Sequence, residues 1–132
     1  MAVRVVLDTN ILVDYLNGVE KARHEIARYE RPLISIVTWM ELQIGSRTEA
    51  EADVIDLFLR EFRVIEITRQ VARRAVEIRR RTRVRLPDAI IWATAQMESA
   101  QLVTRNTKDF TKAPVPVHTP ADLILLLDAA KP

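Results

Sequence analysis

The stretch Val5-Val6-Leu7-Asp8-Thr9-Asn10-Ile11-Leu12 decides the fold of this chain. Its first three apolar residues predict a short buried strand, and an apolar run with helical spacing begins at Ile11. Asp8 stands between the two patterns. In a parallel α/β sheet this order places its carboxylate at the carboxyl end of a strand, at the edge where such folds bind ligands.

Strand-like and helix-like segments alternate along the rest of the 132 residues. This alternation predicts a three-layer α/β/α fold with a parallel sheet of four to five strands, in a single domain spanning residues 1–132. The alternative is a mostly helical domain with a small sheet, because the strand-like runs are short. The predicted strands are 4–7, 33–36, 64–67 and 101–104, with a weak fifth at 116–118; the predicted helices are 10–16, 20–29, 37–44, 48–61, 68–81, 89–97 and 123–127.

Composition narrows the class of protein. The chain has no cysteine, which excludes disulfides and thiolate metal sites. Its hydrophobic content of 48% is enough for a real core. No apolar run approaches the ~20 residues of a membrane helix, and Asp8 interrupts the first run before a signal-peptide core could form. We therefore expect a soluble, cytoplasmic protein.

Charge is concentrated in one segment. Residues 69–85 contain eight arginines and one acid, so this segment carries +7 and, with a net charge of +2, the remainder carries −5. Such a basic stripe beside acidic surroundings is typical of a phosphate-binding face next to a metal-binding cleft. A solvated arginine-rich helix would give the same composition.

Four acids occupy comparable places in the predicted fold. Asp8 and Asp109 each follow a strand, whereas Glu41 and Asp88 lie in the opening turns of apolar helices. Taken singly, each has an ordinary explanation as a helix cap, an exposed residue, a first-turn acid or a turn residue. Together they are informative, because strand carboxyl ends and helix amino ends meet on one side of a parallel sheet. Carboxylates converging there would repel one another unless a cation neutralised them.

The residue types indicate which cation. Carboxylates without cysteine or suitably spaced histidine favour Mg²⁺ or Mn²⁺ over zinc. These ions take one or two carboxylates each, so four acids suit one or two ions. A pair of ions ~3.5–4 Å apart is the two-metal arrangement of nucleases.

Four motifs carry a resemblance to a known family. They are Val6-Leu7-Asp8-Thr9-Asn10-Ile11-Leu12, Trp39-Met40-Glu41-Leu42-Gln43-Ile44-Gly45, Leu86-Pro87-Asp88-Ala89-Ile90-Ile91-Trp92-Ala93-Thr94-Ala95 and Leu102-Val103-Thr104-Arg105-Asn106-Thr107-Lys108-Asp109-Phe110. In this order the sequence resembles the PIN-domain ribonucleases, and among them the VapC-type toxins of toxin–antitoxin pairs. The resemblance implies metal-dependent hydrolysis of RNA.

The resemblance also implies roles for individual residues. Asp8, Glu41 and Asp88 correspond to the family's metal-binding and catalytic acids. Asp109 is the available fourth carboxylate, because Asn106 stands where many members have an acid. We expect four polar residues to orient the acids and five arginines to bind RNA phosphates. The orienting residues are Thr9, Asn10, Thr104 and Asn106, and the arginines are Arg79, Arg80, Arg81, Arg83 and Arg85.

The expected partners are an RNA substrate, a second copy of the chain and an antitoxin protein. The antitoxin would lie in a groove formed by the helices at 10–16 and 37–44 and the helix after Thr48. Two other PIN functions stay open: a non-toxin nuclease of RNA maturation, and a module that binds RNA or protein without cutting.

Two other aspartate-using folds fit poorly. A receiver domain needs an acid pair at the first strand and a lysine after a late strand, but Thr104-Arg105-Asn106 follows the fourth strand here. An aspartyl phosphatase needs a second aspartate two residues after the first, where this chain has Asn10.

Overall fold

The described part of the chain forms a five-stranded parallel sheet with helices on both faces. The computed structural model describes residues 4–106 and the strand at 123–125. The strands are β1 (Val5–Leu7), β2 (Leu33–Ser35), β3 (Arg63–Ile65), β4 (Gln101–Thr104) and β5 (Leu123–Leu125). The helices are α1 (Thr9–Leu16), α2 (Glu20–Ala27), α3 (Ile36–Ile44), α4 (Glu49–Leu59), α5 (Arg69–Arg81) and α6 (Leu86–Met97).

The order of strands across the sheet is β3-β2-β1-β4-β5. β1 is central and pairs in parallel with β2 and with β4, with Val6 opposite Leu33 and Leu102. The chain first builds the sheet outward from β1 to β3 and then returns to the other side of β1 for β4. This reversal creates a crevice between β1 and β4 at their carboxyl ends, where ligands bind in open α/β sheets.

Alternate residues of each strand supply two separate cores. Val5 and Leu7 face a core that includes side chains of α1, α2 and α4, with Phe58 and Phe62. Val6 faces the opposite core, which is built mainly on α5 and α6. This two-sided burial explains why the strands are continuous apolar runs, and it confirms the three-layer α/β/α prediction.

Side-chain caps fix where the helices begin. Ser35 accepts a hydrogen bond from Val37 N–H, and Thr68 accepts one from Val71 N–H. Thr48 caps α4 by accepting from Glu51 N–H, and the Glu51 carboxylate accepts from Arg47 N–H rather than from Thr48 N–H, so the two residues do not form a reciprocal capping box. The Ser35 cap places the start of α3 directly after β2, at the carboxyl end of that strand.

One predicted element is wrong. Residues 123–127 were expected to form a helix, but Leu123–Leu125 is a strand that pairs in parallel with β4. A short apolar run does not distinguish a helix from a buried strand by periodicity, and the free edge of β4 decides the outcome. The strand predicted at 116–118 lies outside the described residues. In the described parts of the chain, no helix is both long and apolar enough to cross a membrane.

Candidate active site

Asp8 directly follows β1, at the point where the order of the strands across the sheet reverses. Its backbone N–H donates to Val103 O of β4 (2.9 Å), which extends the β1–β4 pairing by one residue. The side chain also caps α1, because Thr9 N–H donates to Asp8 Oδ1 (2.8 Å). The position of Asp8 is therefore compatible both with a helix cap and with a carboxylate that binds a ligand.

Neutral groups hold the second oxygen of Asp8. The Thr104 hydroxyl donates to Oδ2 (2.6 Å), and Asn10 Nδ2 donates to the same oxygen (3.2 Å). Thr104 in turn accepts from Asn106 N–H (2.9 Å). Three of the residues predicted to orient the acids thus contact Asp8 directly, and the fourth contacts it through Thr104.

The environment of Asp8 opposes a negative charge. Asp8 is only 4% exposed. The pKa of Asp8 is raised from 3.8 to about 6, chiefly by burial and also by the negative charges of Asp88 and Glu41, while the hydrogen bonds from Thr104 and Thr9 oppose the rise. The charges of the three predicted acids are therefore coupled across one edge of the sheet.

Glu41 is held by a chain of hydroxyl groups. Thr9 Oγ1 donates to Glu41 Oε1 (2.6 Å) and lies 2.9 Å from Thr38 Oγ1. Because the Thr9 hydrogen goes to the carboxylate, the Thr38 hydroxyl donates to Thr9. Thr38 is fully buried, and sequence reasoning missed it. Its position three residues before Glu41, one turn earlier on the same helix, was the available signal.

Asp88 lies in the first turn of α6, where the helix dipole stabilises a negative charge. Its side chain is 20% exposed, and Asp88 Oδ2 lies 4.0 Å from Arg85 Nε. Arg85, one of the five arginines predicted to bind RNA, therefore forms an ion pair with an acid of the site. The site combines three carboxylate side chains: Asp8 directly after β1, Glu41 within α3 and Asp88 in the first turn of α6.

The donor set fits a hard divalent cation. Within residues 4–106, no three acidic or histidine side chains are close enough to enclose one ion together. Mg²⁺ does not require such a cage, because it retains several waters and takes only one or two carboxylates. A cation next to Asp8 would also relieve the repulsion that raises its pKa. Asp109, the predicted fourth ligand, lies outside the described residues.

The arginine stripe is divided by the fold. Arg74 is buried between α5 and α6, where its guanidinium donates to Gln96 Oε1 (2.5 Å) and pairs with Glu77 (2.8 Å). Arg81 also pairs with Glu77, and Arg79 donates to Thr82 O. Arg80 and Arg83 are exposed. The fold therefore buries Arg74, which is not among the arginines predicted to bind RNA.

Comparison with known proteins identifies the family. Residues 5–116 match the sequence profile of the PIN domain. The chain is 38% identical to "Ribonuclease VapC10" of Mycobacterium tuberculosis, over 88% of this chain and 98% of that protein. The chain belongs to the PIN-domain family, in its VapC branch. The resemblance seen in the four motifs is thus confirmed.

Solved structures agree with this PIN fold. A toxin–antitoxin complex from Klebsiella pneumoniae aligns with a TM-score of 0.80 and 35% identity, covering 91% of this PIN domain and 95% of that chain. VapBC2 from Rickettsia felis, bound to a DNA fragment from its promoter, aligns with a TM-score of 0.73 and 26% identity, covering 92% and 96% of the two chains.

Proposed function

We propose that this protein is a metal-dependent endoribonuclease that acts as the toxin of a toxin–antitoxin pair. Its VapC relative from Mycobacterium tuberculosis is named a ribonuclease, and that similarity extends over nearly the whole of both chains. The structural neighbours from Klebsiella pneumoniae and Rickettsia felis are toxin–antitoxin assemblies. The metal dependence is supported by the chemistry of the site.

The observation that carries the proposal is the state of Asp8. This carboxylate is buried at the crevice of the sheet, is bound by neutral donors, and is raised in pKa by burial and by two neighbouring acids. A structural aspartate at this depth normally has a cationic partner. An aspartate that binds a substrate-activating cation does not need a cationic side chain of the protein as its partner.

A different group of the protein positions or stabilises each of the three acids. Thr104 and Asn10 fix Asp8, Thr9 fixes Glu41, and the amino end of α6 stabilises Asp88. A bound Mg²⁺ or Mn²⁺ would supply Lewis-acid polarisation of a phosphate and a water of lowered pKa. In the proposed hydrolysis a water oxygen attacks phosphorus in line and the bond to the 3′-oxygen breaks. The products carry a 5′-phosphate and a 3′-hydroxyl.

Exposed apolar side chains support the antitoxin partner. Val13 and Leu16 of α1 are partly exposed, and Ile44 of α3 and Leu57 of α4 are largely so. These residues lie on the three helices that were predicted to form the antitoxin groove. Burial of such side chains against an amphipathic segment would stabilise a complex.

The test is cleavage of a labelled single-stranded RNA pool with Mg²⁺ or Mn²⁺ and with EDTA. Three proteins are compared: wild type, Asp8→Asn, and Asp53→Asn as a matched control at an exposed position on α4. We expect metal-dependent cutting by wild type and the control, and none by Asp8→Asn. RNA binding without cutting by the wild type would instead indicate a non-catalytic binding module.

Biological role is tested separately. Expression of the wild-type chain should arrest growth, and co-expression of a neighbouring antitoxin gene should relieve the arrest. Cleavage in vitro without growth arrest would favour a non-toxin PIN nuclease of RNA maturation.

A further inference from the structure

The outer face of α5 carries a line of arginines that are not used by the fold. Arg69, Arg73 and Arg80 are exposed, and within residues 4–106 none of them forms an ion pair. Their spacing of four and seven residues places them, with Val76 between them, along one side of the helix. We call this set of four residues the α5 track.

The track borders a hollow in the surface. The hollow has a volume of about 650 Å³, and its lining includes all four track residues. Val76, one of these lining residues, is 43% exposed. Among the lining residues that the structure describes, Glu77 is the only acid, and its carboxylate is already paired with Arg74 and Arg81. The hollow therefore presents uncompensated positive charge.

The track leads toward the acid site. Arg74 of α5 contacts Gln96 near the end of α6, while residues 82–85 join the end of α5 to the start of α6. The two helices therefore run antiparallel, and the carboxyl end of α5 lies beside the turn that contains Asp88. Exposed Arg83 and Arg85 continue the positive charge across this connection.

We propose that the α5 track binds the phosphate backbone of the RNA and guides the strand to the acid site. This inference rests on the proposed function and names the surface that the substrate uses. From Arg69 to Arg80 the helix rises about 17 Å, enough for several successive phosphates of a single strand. Residues outside 69–85 carry a net charge of −5, so the segment that contains the track is the part of the chain that attracts a polyanion.

The first experiment measures RNA binding in EDTA as a function of KCl concentration, by fluorescence anisotropy with a long labelled single-stranded RNA. The track variant is Arg69→Gln/Arg73→Gln/Arg80→Gln. The matched control is Arg31→Gln/Arg60→Gln/Arg63→Gln, which removes three exposed arginines at or near the amino edge of the sheet. Loss of three phosphate contacts should lower the salt-dependence slope by about 2 in the track variant and leave it unchanged in the control.

The second experiment separates binding from chemistry. With long RNA the track variant should have a raised KM and an unchanged kcat, because the acids are untouched. Cleavage of a dinucleotide should fall by a much smaller factor than cleavage of long RNA, because a dinucleotide cannot span the length of the track. Arg73→Gln alone should lower the salt slope by about a third as much as the triple variant, which guards against a folding defect in the latter.

Three results would overturn the α5 track. They are an equal salt slope in the track and control variants, loss of dinucleotide cleavage in the track variant, and a changed oligomeric state with RNA binding intact. The last result would make this face a protein interface. If the wild type cuts no RNA, the proposed function fails, yet the binding slopes in EDTA still decide whether the track binds RNA.

Discussion

Asp8 and Asp14 lie toward opposite ends of the short helix α1, and each is only 4% exposed. Asp14 is paired with a cation of the chain: Arg105 Nε donates to its Oδ2 (2.8 Å) and Nη2 to its Oδ1 (3.2 Å). Asp8 accepts hydrogen bonds only from neutral groups within residues 4–106, and it faces two other acids. Two carboxylates of equal burial thus have opposite electrostatic environments.

The difference separates a structural acid from a functional one. A buried carboxylate is costly unless it is paired, and the two-bonded contact with Arg105 meets that need for Asp14. Arg105 also helps to position Asp8. Its backbone N–H donates to Asn10 Oδ1 (3.3 Å), and Asn10 in turn donates to Asp8. The chain therefore compensates Asp14 and positions Asp8 while leaving the charge of Asp8 for an external cation.

The largest expected effect is on catalysis. Asp88→Asn should lower kcat/KM for RNA about a thousandfold, beyond the 10–100-fold range seen for residues that only support a metal ligand. Its circular dichroism spectrum and urea midpoint should stay close to those of wild type. Cleavage at the normal rate by this variant would remove Asp88 from the site.

The next effect is on stability and concerns the other acid. Asp14→Asn should lower the free energy of unfolding by about 3 kcal/mol, because it leaves Arg105 without its partner. We place the value at the low end for buried pairs because the Arg105 side chain is 36% exposed. Urea denaturation measures it, with Asp53→Asn as the exposed control. A change below that of the control would show that Asp14 needs no partner and would weaken the comparison.

The pH dependence of stability should distinguish Asp8. Its pKa is raised by folding from 3.8 to about 6, so the folded state favours the protonated form. In EDTA, the contribution of Asp8 to the free energy of unfolding should therefore be greatest below pH 4. This contribution should decrease as the pH rises through 6, by at most about 3 kcal/mol. Asp8→Asn should lack this component. An identical pH profile in both proteins would mean that Asp8 titrates normally.

The smallest effect should come from the hydroxyl chain. Thr38→Val removes the donor to Thr9 and should weaken Mn²⁺ binding and lower kcat/KM by about tenfold, through a less fixed Glu41. Thr94→Val is the matched control, since Thr94 is also fully buried but donates to Ile90 O within its own helix. Equal losses of activity in the two variants would show that Thr38 acts only through folding.

Much of this fold follows from local sequence patterns. β4 has the predicted bounds, and the starts of α4 and α5 lie at the capping residues Thr48 and Thr68. The positions of Asp8, Glu41 and Asp88 at one edge follow from strand and helix polarity in a parallel sheet. These features depend on the order of elements along the chain, which the sequence contains directly.

Other features depend on contacts between distant residues. The segment at 123–125 is a strand because β4 offers it an edge, and nothing in the run Leu123-Ile124-Leu125 itself requires this. Arg74 is buried because it bonds to Gln96 and pairs with Glu77, although the preceding residue, Arg73, is an exposed arginine. The pairing of Asp14 with Arg105 joins residues 91 positions apart and has no local signal.

The most direct test of the difference between the two acids is Mn²⁺ binding by isothermal titration calorimetry, without RNA. Wild type, Asp8→Asn and Asp14→Asn are titrated at neutral pH, each checked for folding by circular dichroism. We expect binding by wild type, loss of more than about tenfold in affinity for Asp8→Asn, and a smaller loss for Asp14→Asn. Equal Mn²⁺ affinity in wild type and Asp8→Asn would contradict the assignment of Asp8 to a cation site.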